Sequence, residues 1–95
     1  MSEGFPRLLG DIGGTHARWA WQAHRGAALE DVTVVADTAA ESLYASAAAY
    51  LERSGHAHPQ WAGIGIATAV TGDDVRMTNH PWSFSITELK RLLGL

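Results

Sequence analysis

Two adjacent glycines, Gly13 and Gly14, separate an apolar run, Leu8-Leu9, from an alternating stretch, Ala17-Arg18-Trp19-Ala20-Trp21. Glycine pairs between such segments mark tight turns, and strict alternation marks a strand with one buried face. The chain is therefore expected to open as strand, turn, strand, with strands over residues 7–12 and 16–22. Along the second strand Ala17, Trp19 and Trp21 share one face, and Arg18, Ala20 and Gln22 share the other. A β-branched run over residues 32–36 reads as a third strand joined by a short polar loop, which makes an antiparallel meander.

Spacing then changes to helical. Leu43, Ala47, Tyr50 and Leu51 fall at i, i+4, i+7 and i+8, so one apolar stripe runs along a helix expected over residues 37–54. Thr38 with Glu41 has the form of a capping box at its start, and Gly55 is placed to end it in a left-handed conformation. Residues 61–70 are apolar and glycine-bearing, and read as a largely buried fourth strand. A turn at Thr71-Gly72-Asp73-Asp74 followed by alternation at Val75 and Met77 predicts a hairpin over residues 67–78. Ser85 with Glu88 forms a second capping box, with Phe84 and Leu89 as the hydrophobic staple around it. Leu89, Leu92 and Leu93 are expected to form the apolar face of the last helix, and Gly94 to stop it.

The order is α/β, with a mixed sheet built from an antiparallel β-meander and then α-β-hairpin-α. A parallel strand ordinarily follows a helix of this last kind, so the chain reads as stopping short of its next strand. Its 95 residues make one small domain that buries only about 60–65% of its unfolded surface. An open sheet edge and an apolar face are expected, and both favour self-association.

Composition narrows the chemistry by exclusion. The chain has no cysteine, so disulfides, thiolate metal sites and cysteine nucleophiles are excluded. A net charge of −3 without runs of either sign offers no nucleic-acid surface. No apolar stretch approaches the roughly 20 residues that span a bilayer, and the first residues do not read as a secretory signal, so a cytoplasmic protein is the expectation. The five histidines, His16, His24, His56, His58 and His80, show no helical metal spacing, and no Ser/His/Asp arrangement is evident.

The glycine turn is the stronger of two candidate sites. A turn of this kind can present several backbone N–H groups together, with the Thr15 hydroxyl and the Asp11 carboxylate beside them. Such a set suits a nucleotide phosphate with its magnesium. It is not a Walker A loop, which needs Gly-Lys-Ser/Thr opening a helix, nor a Rossmann fingerprint, because a strand follows it. Glycine pairs also close hairpins that bind nothing, and Asp11 and Thr15 both occur as ordinary turn residues. The second candidate is Met77-Thr78-Asn79-His80-Pro81-Trp82-Ser83-Phe84. Its amide and indole groups suit a hydroxyl-rich ligand, while its aromatics equally suit a core.

Taken together, these segments resemble the bacterial glucokinases of the actin/hexokinase-like ATPase superfamily. Leu9-Gly10-Asp11-Ile12-Gly13-Gly14-Thr15-x-Ala17-Arg18 is similar to the family's phosphate-binding opening. Ala67-x-x-Val70-Thr71-Gly72-Asp73, followed by Met77-Thr78-Asn79-His80-x-Trp82-x-Phe84-Ser85-Ile86, is similar to its second block. The resemblance covers essentially the whole chain. It implies a ribonuclease H-like fold of the actin/hexokinase type, with residues 1–95 as the N-terminal part of the small lobe. It also implies a cytoplasmic enzyme of glycolysis that phosphorylates D-glucose with ATP and Mg²⁺. On that reading Gly10, Asp11, Ile12, Gly13, Gly14 and Thr15 hold ATP, Asp11 orients the metal, and Asn79 and His80 lie near the sugar. The family's catalytic carboxylate matches no residue of this chain, so none here is assigned as catalytic and the isolated chain is expected to be inactive. His16 stands where the family usually has Asn, and Ala69 where proline is common. A sugar-sensing regulator on a kinase-like fold and a non-catalytic remnant are the competing readings.

Overall fold

The computed structural model of the chain describes residues 4–56, 58–68, 70–77 and 82–95. Strands β1 (Arg7–Ile12) and β2 (His16–Gln22) form the expected hairpin, in a register that runs from Arg7 opposite Gln22 to Ile12 opposite Ala17. Strand β3 (Glu30–Ala36) continues the meander against β2, with a bulge between Trp19 and Trp21. It begins ahead of the β-branched run because Glu30 still pairs with Trp21. After helix α1 (Leu43–Ser54) the chain returns as β4 (Trp61–Ile66), parallel to β1 and on its other side. The sheet order is β3-β2-β1-β4, a mixed sheet in an α/β chain.

Alternation along these strands builds the core. Leu8, Ile12, Ala17 and Trp19 are fully buried on one face of the sheet. Against them pack Leu43, Ala47 and Tyr50 of α1, the stripe expected from helical spacing. Trp19 is the centre of this packing. Its indole Nε1 donates to Ser46 Oγ at 3.0 Å, and its ring stacks on Tyr50 with centroids 6.4 Å apart. The ring also covers Gly10, its register partner: a Cβ built on Gly10 would lie 2.6 Å from Trp19 Cζ3. At the other end of β2, Trp21 stacks on His56, rings 4.3 Å apart, and His56 Nε2 meets Asp31 Oδ2 at 2.9 Å.

Several expectations are corrected. Residues 37–54 do not form one helix. Asp37–Ala39 is a short 3₁₀ turn, Ala40 is extended, and α1 starts after Ser42, whose hydroxyl accepts from Ala45 N–H at 3.0 Å. Ala40 is drawn out of the helix by Trp82, whose indole Nε1 donates to the Ala40 carbonyl at 3.1 Å. Gly55 ends α1 at φ 77°, as expected.

Strand β4 is shorter than expected and only half-buried, with Trp61 50% exposed. It lies at the sheet margin, and one of its faces is turned away from the helices. The expected hairpin over 67–78 is replaced by a different pairing. Strand β5 (Asp74–Arg76) pairs with β6 (Ser83–Ser85), and Met77 N–H donates to Trp82 O at 3.0 Å.

Asp73 explains the change of partner. Its main-chain carbonyl accepts from Ile86 N–H at 2.8 Å, and its carboxylate accepts from the Ser85 hydroxyl and from Thr87 N–H and Oγ1. The turn is thereby tied to the start of helix α2 (Ile86–Leu93). These bonds, the Ser85 hydroxyl foremost, hold the Asp73 carboxyl below its ordinary range. Ser85 caps α2 as expected, accepting from Glu88 N–H at 3.1 Å, but the Glu88 side chain pairs with Arg91 instead of reaching back. The buried leucines of α2 are Leu89 and Leu93, while Leu92 is 42% exposed. Gly94 ends the helix at φ 75°.

Candidate functional site

Parallel pairing places the carboxyl ends of β1 and β4 side by side, the edge where open α/β sheets bind ligands. Here the turn between β1 and β2 is held from three directions. Gly13 N–H donates to His16 O at 2.8 Å and closes the turn. Asp37 N–H donates to Thr15 O at 2.9 Å from the end of β3, and Ala67 N–H donates to Ile12 O at 2.9 Å from the end of β4. A turn fixed in this way keeps its remaining backbone groups in one orientation.

Those remaining groups are donors. Among the described residues, neither Gly14 N–H nor Thr15 N–H has a hydrogen-bond partner, and both residues are exposed. Thr15 Oγ1 lies 2.9 Å from His16 Nδ1.

The glycines differ in why they are glycine. Gly10 is accounted for by Trp19, whose ring occupies the space of a side chain. Neither Gly13 nor Gly14 has a left-handed φ. A Cβ on Gly13 would come within 3.4 Å of His16 O, whereas one on Gly14 would meet nothing within 4 Å. Neither packing nor a left-handed turn therefore requires a glycine at 14, and its bare backbone borders open space.

Asp11 lies on the sheet face away from the helices and is exposed. Its register neighbours are Arg18 on β2 and Gly65 on β4. Gly65 is also exposed, and the nearest atom to a Cβ built there is Gly10 O at 4.0 Å, so the space beside Asp11 toward β4 is open. Asp11, Gly13, Gly14 and Thr15 are thus gathered at one edge of the sheet. Ile12 points the other way as a fully buried core residue, and both it and Gly10 reach this edge only through their backbone. Asn79 and His80, the expected sugar-side residues, lie outside the described residues, as does Ala69.

Three features were not legible in the sequence. Asp37 is fully buried directly behind the turn, and its N–H holds Thr15 in place. His16 contacts Thr15 through a ring nitrogen, which only the turn geometry reveals. Glu30 and Asp31 at the start of β3 and His56 after α1 bring one ligand atom each within 4.8 Å of one another, although 25 positions separate Asp31 from His56 in the chain. Pairing with Asp31 and stacking on Trp21 account for His56 there. A cavity of about 440 Å³ opens elsewhere, between β4 and α2, lined by Trp61, Ala62, Ile64, Ile86, Leu89 and Leu93 among others. It is apolar and contains none of the turn residues.

The fold and this edge define a mixed α/β chain with a donor-rich turn at the end of paired parallel strands. Comparison with known proteins is specific. The family model described as Glucokinase matches residues 8–95. A glucokinase of Aromatoleum aromaticum is 50% identical over 95 residues, covering 99% of this chain and 29% of that protein. One from Chromobacterium violaceum is 42% identical over 95 residues, covering 100% of this chain and 27% of its own length. The crystal structure of a glucokinase from an Antarctic psychrotroph superposes with a TM-score of 0.84 at 30% identity, over 94% of this chain and 29% of that one. The chain belongs to the glucokinase family. It spans less than a third of the length of these relatives.

Proposed function

We propose that this chain supplies the phosphate-binding loop of an ATP-dependent glucokinase, which transfers the γ-phosphoryl of ATP to the 6-hydroxyl of D-glucose. The observation that carries the reading is the pair of unpartnered, exposed N–H groups at Gly14 and Thr15, next to a glycine that neither packing nor a left-handed turn requires. Phosphoryl transfer asks the protein mainly for positioning and charge neutralisation, and rigidly aimed backbone donors supply the first. Gly13, Gly14 and Thr15 would hold phosphate oxygens, with Gly10 and Ile12 setting the backbone that carries them. Asp11, exposed beside an open gap, would hold magnesium through its water ligands. When bound, magnesium neutralises the charge that develops on the phosphates.

The carboxylate that takes the sugar proton is assigned to residues outside this chain, and Asn79 and His80 to the sugar side of the cleft, both by family resemblance. The order β3-β2-β1-β4 and the parallel crossover through α1 support a ribonuclease H-like small lobe of the actin/hexokinase type, with residues 1–95 as its N-terminal part. Among the described residues no helix is long and apolar enough to cross a membrane; action in the cytoplasm is assigned by family resemblance.

The test is a chimera in which this chain replaces the matching residues of the Aromatoleum aromaticum glucokinase. Glucose-dependent ADP production is expected, and Asp11→Ala should lower kcat on the order of 100-fold while the protein stays folded. An unchanged rate would remove the metal role from Asp11.

A further inference from the structure

Two of the bonds that hold the turn come from residues one step past a paired strand. Ala67, after β4, holds Ile12, and Asp37, after β3, holds Thr15 itself, its N–H donating to Thr15 O at 2.9 Å. A terminal rung of this kind opens readily unless the chain beyond it is anchored. What anchors Asp37 therefore bears on how Thr15 presents its free N–H.

The segment beyond Asp37 has two local options. Thr38 and Glu41 have the spacing of a capping box, which favours a helix running from there into α1. In that helix the Ala40 carbonyl would point along the axis to the amide four residues on. The chain takes the other option. Asp37–Ala39 is a 3₁₀ turn closed by Ala40 N–H, which donates to Asp37 O at 3.3 Å, and Ala40 is extended at φ −137° and ψ 150°. Trp82 favours this arrangement. Its ring is 2% exposed in the core, its carbonyl accepts from Met77 N–H at 3.0 Å, and its indole Nε1 donates to Ala40 O at 3.1 Å. The helical option takes that acceptor away from a buried donor, which disfavours it.

Three hydrogen bonds thus run in series from the core to the turn: Trp82 Nε1–H to Ala40 O, Ala40 N–H to Asp37 O, and Asp37 N–H to Thr15 O. We propose that Trp82 is a positioning residue of the phosphate loop. By keeping Ala40 out of α1 it holds Asp37 on Thr15, and so fixes the Thr15 N–H in the orientation that receives a phosphate oxygen. The indole touches no nucleotide and acts through the backbone of residues 37–40. Coupling of this kind has a physical basis where one segment has two discrete arrangements and both partners favour the same one. The role rests on the phosphate reading above and adds to it a residue from the second sequence block.

The test compares the native 95-residue chain with Trp82→Phe and with a chain whose Trp82 is replaced by the benzothiophene isostere of tryptophan. The isostere keeps the shape of the ring and lacks only the N–H, so it decides the matter should the Phe variant not fold. Amide hydrogen exchange is followed at Asp37 and at Ala67, which hold the same turn from opposite sides, and Mg-ATP affinity is measured calorimetrically. Loss of the indole donor should speed exchange at Asp37 on the order of tenfold relative to Ala67. Mg-ATP affinity should fall about three- to tenfold. A general loss of stability would speed both amides alike, and equal changes at the two, or none, would overturn the anchoring. Selective exchange at Asp37 with unchanged Mg-ATP affinity would overturn the positioning role and leave the phosphate reading standing. A native chain that binds no Mg-ATP would overturn the phosphate reading, and this role with it.

Discussion

At the scale of single residues, two glycines four positions apart serve opposite ends. Gly10 lies under the ring of Trp19 with no room for a methyl group, whereas Gly14 faces open space. Replacing Gly10 by Ala must push the indole away from its hydrogen bond to Ser46 and its stack on Tyr50. A loss of about 1–3 kcal/mol is expected from this overpacking, measured by chemical denaturation. A variant as stable as the native chain would mean that the ring does not fill that space. The distinction was not legible in the sequence, where Gly10, Gly13 and Gly14 read as one glycine-rich motif. Only the pairing of Gly10 with Trp19 across β1 and β2 separates a packing glycine from one that leaves a backbone bare.

At the scale of elements, local pattern predicted what local forces decide. The β1–β2 hairpin, the buried stripe of α1, the Ser85 cap and both terminating glycines all follow from spacing within a few residues. Misreadings arose where a distant side chain intervened. The Trp82 indole captures the Ala40 carbonyl, so α1 begins at the Ser42 cap and the box formed by Thr38 and Glu41 is not used. The Asp73 carboxylate ties its turn to the start of α2, so β5 pairs forward with β6 rather than back toward β4. This cluster also makes stability depend on pH. The Asp73 carboxyl is held below its ordinary range in the folded chain, so its contribution is present above the unfolded pKa and is lost as pH falls through the folded value. Asp73→Ala should therefore lower the melting temperature at pH 7, and the gap to the native chain should close below about pH 4. A gap independent of pH would show that the carboxylate charge plays no part.

At the scale of the whole molecule, the helices cover one face of the sheet and leave the other to solvent. Val32, Val34 and Trp61 are each at least 50% exposed, and β3 presents an unpaired edge among the described residues. Edges of this kind, without lysine or proline along the β-branched run, recruit further strands. The 95-residue chain should therefore associate with rising concentration in sedimentation velocity experiments. Val34→Lys should shift it toward monomer, and a native chain that stays monomeric up to roughly 100 μM would contradict this description of the surface. The same architecture explains why the site was partly legible. The Gly13-Gly14-Thr15 run names its own chemistry, but Asp37 and His16 join it only when β3 and the turn meet.

The claim that the turn is a phosphate-binding loop is tested most directly at Gly14. Melting temperature and Mg-ATP affinity should be measured together on Gly14→Ala. Beyond its two chain neighbours no described atom lies within 4 Å of the added methyl and the backbone is not left-handed, so stability should change by no more than about 0.5 kcal/mol. Affinity should fall on the order of tenfold, because the methyl stands beside the free donors. Unchanged stability with unchanged affinity would contradict the assignment of this turn to the nucleotide.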